Sequence, residues 1–289
     1  MELINISKTY KDKKILEDIT LDFNNNNIIG LIGKNGAGKT TLMKIIVNNI
    51  TNYEGIVSYS NNSIGYLIEH PKLYSQETGL ENLEIFSNII GNGFEKEYAY
   101  SIIKAFGMDS YINKKVKKYS MGMKQKLAIA ISLMNKPKYL ILDEPTNGMD
   151  PNGSVDILKT LKKLVQDTQI KILISSHKLE EIELICDRAI FIQNGSIIKD
   201  LDLITTKRLK PIYLRVKPED YTKSLDVLSK NNKIEKSHQN ENLIIISPKS
   251  NSSKILMELA KHKIFPKSIE EKKASLRDTY FNLNERKDN

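Results

Sequence analysis

Eight consecutive residues, Gly33-Lys34-Asn35-Gly36-Ala37-Gly38-Lys39-Thr40, have the types and spacing to hold a triphosphate. They match G-x-x-x-x-G-K-[ST], the phosphate-binding loop. Glycines let successive backbone N–H groups turn inward around phosphate oxygens. The helix that opens behind them, with Thr41 in its first turn, adds the positive end of its dipole. Gly33, Asn35, Gly36, Ala37, Gly38 and Thr41 therefore form the nucleotide-binding set with Lys39 and Thr40. Lys39 is placed to reach the β- and γ-phosphates, and the Thr40 hydroxyl to ligate Mg²⁺.

A second group of residues can act on what the loop holds. Tyr139-Leu140-Ile141-Leu142 reads as a buried strand that ends in Asp143 and Glu144. Asp143 can hold Mg²⁺ directly or through water, and Glu144 can polarise a water for attack on a γ-phosphate. An isolated Asp-Glu after a strand would be an ordinary helix cap. About a hundred residues after Lys39 in an α/β pattern, it points to hydrolysis instead. Pro145-Thr146-Asn147-Gly148-Met149-Asp150 follows the pair directly, Ser120-Met121-Gly122-Met123-Lys124-Gln125 opens a helix, and Ser175-Ser176-His177 ends a strand where a γ-phosphate contact is natural.

The elements that must position these residues are legible from periodicity. Apolar and polar residues alternate from Ile19 to Phe23, as in a half-buried strand, and Asn24 to Asn27 turn the chain into the strand Ile28–Ile32. The loop helix runs from Gly38 to about Asn49. Residues 55–59 and 63–67 read as short strands around an Asn-Asn turn. From Thr78 to about Ser132 the pattern is helical. Thr78 and Glu81 form a capping box, with Leu80, Leu83, Phe86 and Ile90 as a core stripe. A second helix carries Tyr98, Ile102, Ile103 and Phe106, and a third, after Ser120, sets Leu127, Ile131 and Met134 on one face. Beyond Tyr139 strands and helices alternate: Asp150 caps a helix with Pro151 at its first position, Ile172–Ile174 is a strand, Leu179–Ile185 a helix, and Asn194-Gly195 turns a hairpin. This order predicts a mainly parallel sheet with helices on its faces.

With these motifs in place, residues 1–204 resemble the ATP-binding-cassette (ABC) ATPases, the nucleotide-binding subunits of ABC transporters. The resemblance implies a P-loop NTPase core of α/β class with an inserted helical subdomain over about 71–132. Residues 205–289 add a small α+β domain, read as strand 212–216, helix 220–229, hairpin 234–237 with 243–247, helix 252–260 and strand 263–265. That is the β-α-β-β-α-β, ferredoxin-like order, and residues 275–283 could add a last helix. The resemblance further implies ATP and Mg²⁺ as ligands and a head-to-tail dimer of two copies, with the loop of one facing the signature segment of the other. Carried over by position, Tyr10 would stack on adenine, Thr40 and Asp143 would serve Mg²⁺, Glu144 would be the general base and His177 the γ-phosphate switch. Ser120 and Gly122, with Gln125, would meet the partner's nucleotide, and Asp150 would report across the interface.

Two departures stand out. Met121 occupies a position where the family usually has a glycine, while Gly122, whose N–H must approach phosphate, is kept. Glu69, in Leu67-Ile68-Glu69-His70-Pro71, replaces a glutamine near Mg²⁺ and the attacking water. An amide donates and accepts hydrogen bonds; a carboxylate only accepts and brings charge beside Glu144. This form resembles the bacitracin and lantibiotic self-protection exporters, with Glu69 in the catalytic and metal set.

Composition is consistent with such a subunit. At 40% hydrophobic and 27% charged residues the chain is an ordinary globular one. A single cysteine, Cys186, in the apolar stretch 182–186, excludes an internal disulfide and reads as a small buried side chain. Neither a signal-peptide core nor a run long enough to span a membrane is present. The expected place is therefore the cytoplasm, on the inner face of the membrane through a separate integral permease. Of the net charge of +9, residues 205–289 carry +8, from 19 Lys and Arg against 11 Asp and Glu. These charges are interleaved rather than clustered, and no nucleic-acid partner is expected. The competing class is a soluble ABC ATPase acting on ribosomes or nucleic acid. Its relatives usually carry two cassettes or a long coiled-coil insertion, and neither occurs here. A GTPase fails at Asn135-Lys136-Pro137-Lys138, where Lys138 stands in place of the guanine-reading aspartate.

Overall fold

Every residue of Ile28–Ile32 is buried, as a strand covered on both faces requires. The computed structural model describes residues 1–23, 27–59, 64–68, 72–90, 93–208, 211–238, 241–247, 250–271 and 276. The chain divides into two units, Met1–Asp202 and Leu203–Asn289.

The first unit runs β1 Glu2–Tyr10, β2 Lys13–Asp22, β3 Ile28–Ile32, α1 Lys39–Ile46, β4 Glu54–Ser58, β5 Ile64–Leu67, α2 Gly79–Ile90, α3 Lys96–Ala105, α4 Met121–Leu133, β6 Tyr139–Asp143, α5 Pro151–Asp167, β7 Lys171–Ser175, α6 Leu179–Ile185, β8 Arg188–Gln193 and β9 Ser196–Asp202. Its larger sheet has the order β5-β6-β7-β3-β8-β9. All pairs are parallel except the closing hairpin β8–β9. A smaller antiparallel sheet, β2-β1-β4, lies beside it, and α1 packs in the core between them, with Leu42, Met43, Ile45 and Ile46 buried among Leu3, Ile6, Leu31 and Ile141. Among the described residues no helix is long and apolar enough to cross a membrane.

Register brings the strand ends together. Leu31 of β3 and Asp143 of β6 both pair with Ser175 of β7. The loops after these three strands therefore open on one edge of the sheet, where ligands of open α/β folds bind.

Several elements differ from expectation. β1 pairs with β2 over its whole length, yet its sequence gave no strand signal, because a bulge at Asn5 (φ 53) breaks the alternation. Residues 54–58 and 64–67 do not form a hairpin: β4 pairs with β1 and β5 with β6, in different sheets. Helix α1 stops at Ile46, two residues before Asn48 takes the left-handed conformation (φ 61). In α2 the capping box forms as expected, Glu81 N–H donating to Thr78 Oγ1 at 3.2 Å and Thr78 N–H to Glu81 Oε2 at 2.7 Å. Its apolar stripe is only partly core: Leu83 is buried, but Ile90 is exposed, as is Ile89. Helix α4 has no single core face. Leu127, Ala128, Ile129, Ala130, Ser132 and Leu133 are all buried, as in a helix packed on more than one side. Cys186 is buried, as expected.

The second unit has α7 Leu203–Arg208, β10 Ile212–Arg215, α8 Tyr221–Ser229, β11 Ile234–His238, β12 Leu243–Ile246, α9 Ser252–Lys261 and β13 Ser268–Glu271. The β-α-β-β-α-β order makes an antiparallel sheet, β11-β12-β10-β13. Leu214, Ile244 and Ile246 pack against Leu228 and Leu259 of the helices. The last strand lies at 268–271 rather than 263–265. There, the Ile264 N–H donates back to Leu259 O and Lys263 is left-handed (φ 60), so these residues form the exit of α9. The expected helix at 275–283 apart from Leu276, the Asn-rich turn at 24–26 and Glu69 lie outside the described residues.

Candidate active site

The glycine loop takes the shape its composition requires. Gly38 is left-handed (φ 106) and no side chain caps the helix that starts after it. The first N–H groups of α1 are thus left for an external acceptor. A cavity of about 430 Å³ stands over this turn, lined by Asn35 to Thr41 together with Lys13, Ile15 and Glu144. Lys39 is buried, and its ammonium donates to Gly33 O at 2.7 Å and lies 3.8 Å from Glu144 Oε1. The cavity therefore joins backbone donors, two lysines and an apolar side wall at Ile15, a combination that suits a phosphorylated ligand with a less polar end.

The ends of β6 and β7 supply the second half. Thr40 Oγ1 donates to Asp143 Oδ2 at 2.6 Å, and Ser175 Oγ donates to Asp143 Oδ1 at 2.5 Å. The same Ser175 oxygen accepts the Glu144 N–H at 2.8 Å. That bond fixes Glu144 in a left-handed conformation (φ 46), a backbone state that costs a non-glycine residue about 1–3 kcal/mol. The turn re-aims the carboxylate out of the sheet and into the cavity. Glu144 Oε2 lies 3.2 Å from His177 Nδ1, and the imidazole is half exposed. One carboxylate is held by two hydroxyls, those of Thr40 and Ser175, and the other stands free of the sheet between a lysine and a histidine.

The remaining expected residues fall around this centre. Tyr10 is exposed at the end of β1, paired in register with Lys13; it is not among the residues lining the cavity. Ser120 is exposed and caps α4, accepting the Met123 N–H at 3.3 Å. Gly122 is half-buried and Gln125 buried. Asp150 caps α5 through Gly153 N–H at 2.9 Å. The departure at Met121 has a structural counterpart: a Cβ added at Gly148 (φ 74) would fall 2.7 Å from Met121 Cε, and one at Gly122 would fall 3.0 Å from Met149 Cε. The two methionines thus interlock the start of α4 with the turn before Asp150.

Three residues of the site were not anticipated. Lys13 and Ile15 line the cavity, but isolated residues in a strand carry no signal of that. Ser175 lies inside the Ser-Ser-His segment, and its role as the bridge between Asp143 and Glu144 needs the pairing of β6 with β7.

Comparison with known proteins agrees with this geometry. A family model described as ABC transporter matches residues 16–147. An uncharacterized ABC transporter ATP-binding protein of Bacillus subtilis (strain 168) is 36% identical over 243 residues, covering 80% of this chain and 78% of that protein. The bacitracin transport ATP-binding protein BcrA of Enterococcus faecalis is 36% identical over 214 residues, covering 70% and 69%. The lantibiotic transport ATP-binding protein SrtF of Streptococcus pyogenes is 33% identical over 221 residues, covering 74% and 95%. Among solved structures, a dimeric ATP-binding cassette in a post-hydrolysis state bound to ADP and Pi superposes with a TM-score of 0.61 at 23% identity, covering 70% of this chain and 98% of that one.

Proposed function

The chain belongs to the ABC transporter ATP-binding subunits, a family of ATPases, and on that premise we propose that it hydrolyses ATP to drive a separate membrane permease that exports bacitracin- or lantibiotic-like peptides. The observation that carries the hydrolytic part is the position of Glu144 at the cavity, 3.8 Å from Lys39 and 3.2 Å from His177. Lys39 and the loop N–H groups hold the β- and γ-phosphates. Glu144 accepts the proton of the attacking water, and His177 orients Glu144 and meets the γ-phosphate. Thr40 and Asp143, already in contact, are the side chains that would hold Mg²⁺. A cation held there would supply positive charge to offset that of the phosphates. The family resemblance alone adds Glu69 to this set. Tyr10, exposed and paired in register with the cavity residue Lys13, would stack on adenine.

The site is completed by a second copy. Ser120 and the turn at Gly122 present a capped helix N-terminus to solvent, suited to the γ-phosphate held by a partner, and Asp150 lies in the segment interlocked with it. The relatives named for bacitracin and lantibiotic transport support the peptide reading. In that reading the chain sits on the inner face of the membrane, held by the permease. Cells lacking this chain, re-supplied with it or with Glu144→Gln, test the substrate: sensitivity to bacitracin or a lantibiotic should rise without the active chain. Equal sensitivity in all strains would remove the peptide assignment while leaving the ATPase untouched.

A further inference from the structure

Behind Glu144 and His177 lies a buried carboxylate that the reaction itself does not use. Glu181, in α6, is 8% exposed. Its Oε2 accepts two hydroxyls, Thr146 Oγ1 at 2.7 Å and Ser176 Oγ at 2.7 Å, and its Oε1 pairs with Lys178 Nζ at 3.0 Å. Ser176 Oγ in turn accepts the Lys178 N–H at 3.0 Å. Thr146 follows Glu144 by two residues, and Ser176 and Lys178 flank His177. One carboxylate oxygen therefore ties the loop that carries Glu144 to the loop that carries His177, on the side away from the cavity.

We propose that Glu181 is a positioning residue that sets the spacing between Glu144 and His177. The inference rests on the assignment of those two residues given above. In front, among the described residues, they meet through one 3.2 Å contact between a half-exposed imidazole and a carboxylate that is 21% exposed, which solvent weakens. At the back, both hydroxyls and the carboxylate are buried, where a charge-assisted hydrogen bond is short and strong. Ser175 fixes the Glu144 backbone from the end of β7; Glu181 fixes the loops themselves. The node holds both loops against independent drift, and a misplacement of about 1 Å at a reacting group can cost about a hundredfold in rate.

The test uses the full-length protein and steady-state hydrolysis of MgATP, with ATP affinity and thermal melting measured in parallel. Glu181→Ala should lower kcat about tenfold or more, with ATP affinity held within about twofold, since the residue is not among those lining the cavity. Glu181→Gln should recover most of the rate, because its amide oxygen still accepts both hydroxyls. Thr146→Val and Ser176→Ala should each slow hydrolysis, and the double variant should be no slower than Glu181→Ala, as expected of one shared node. If Glu181→Ala does not fold, the Gln, Val and Ser176→Ala variants decide alone. A kcat within twofold of the parent in Glu181→Ala and in the double variant overturns the proposal, as does a rate loss that the Gln variant fails to recover while Tm and ATP affinity fall with it. Glu144→Gln, run beside these, keeps the two ideas apart. Hydrolysis persisting in Glu144→Gln removes the general base whatever Glu181 does. Abolished hydrolysis there, with Glu181→Ala fully active, removes only the positioning role.

Discussion

Thr40 donates its hydroxyl to Asp143 across 2.6 Å, joining the first turn of α1 to the end of β6. The two residues are 103 positions apart in sequence and come from the two motifs most firmly tied to nucleotide chemistry. The contact has the composition of half a Mg²⁺ site: a hard oxygen set, open towards the cavity where phosphate oxygens would complete it.

If that is their role, Asp143→Asn should separate binding from turnover. The expected result is hydrolysis of MgATP lowered about a hundredfold, with ATP binding in chelator changed by less than about threefold. Isothermal titration with and without Mg²⁺, beside the steady-state rate, reads both. Equal loss of binding with and without the cation would make Asp143 a structural partner of Thr40 only.

His177 is half exposed, and its one described side-chain partner at the site is Glu144. His177→Ala should reduce kcat by about 10- to 100-fold with little change in melting temperature, since no buried contact is lost. A large drop in Tm would instead mark His177 as a support of the β7 end.

Gly148 and Met121 form the tightest glycine contact at the surface that would meet a second copy. Gly148→Ala adds a Cβ at a left-handed residue and into Met121, and should destabilise by about 1–2 kcal/mol. Removing Met121 in the same chain relieves the clash but not the backbone strain. Met121→Ala/Gly148→Ala should therefore regain part of the loss, a coupling that a double-mutant cycle in denaturant measures. Strict additivity would mean that the two segments are not interlocked.

The helical segment carries an alkaline limit. Burial pushes the Tyr119 phenol up to about 12 from its ordinary 10.0, and pushes Tyr111 up further; the two rings meet edge-on at 5.1 Å. Both hold their protons more tightly folded than unfolded. Their contribution is therefore complete below pH 10.0 and is lost as pH rises towards the folded values. Tyr119 donates to Tyr111 O at 2.8 Å, whereas the Tyr111 hydroxyl is buried with no partner among the described residues. Tyr111→Phe should then be neutral or stabilising near neutrality and should flatten the fall in Tm between about pH 9.5 and about pH 11.5. An unchanged alkaline slope would contradict burial of that phenol.

The sequence was most readable where chemistry and periodicity coincide. The loop around Lys39, the strand ending in Asp143 and Glu144, and the caps at Thr78 and Asp150 all depend on local residue types, and local types are visible. What escaped depends on pairing between distant segments. β1 was hidden by its bulge at Asn5, and β4 and β5 looked like a hairpin although they join different sheets. Ser175 and Glu181 act through register and helix placement, which no spacing within one segment encodes. Helix α4 was expected to be one-faced, yet Ile129 and Leu133, off the expected face, are buried together with Ala128, Ala130 and Ser132, so which sides it packs on is set by its neighbours and not by its own periodicity.

Sedimentation of Glu144→Gln with and without ATP tests the account most directly. If Glu144 is the base and Ser120 with Gly122 completes the site from a second copy, the variant binds ATP, fails to hydrolyse it and sediments as a dimer only with nucleotide. A Glu144→Gln chain that hydrolyses at the parent rate, or stays monomeric when saturated with ATP, would contradict it.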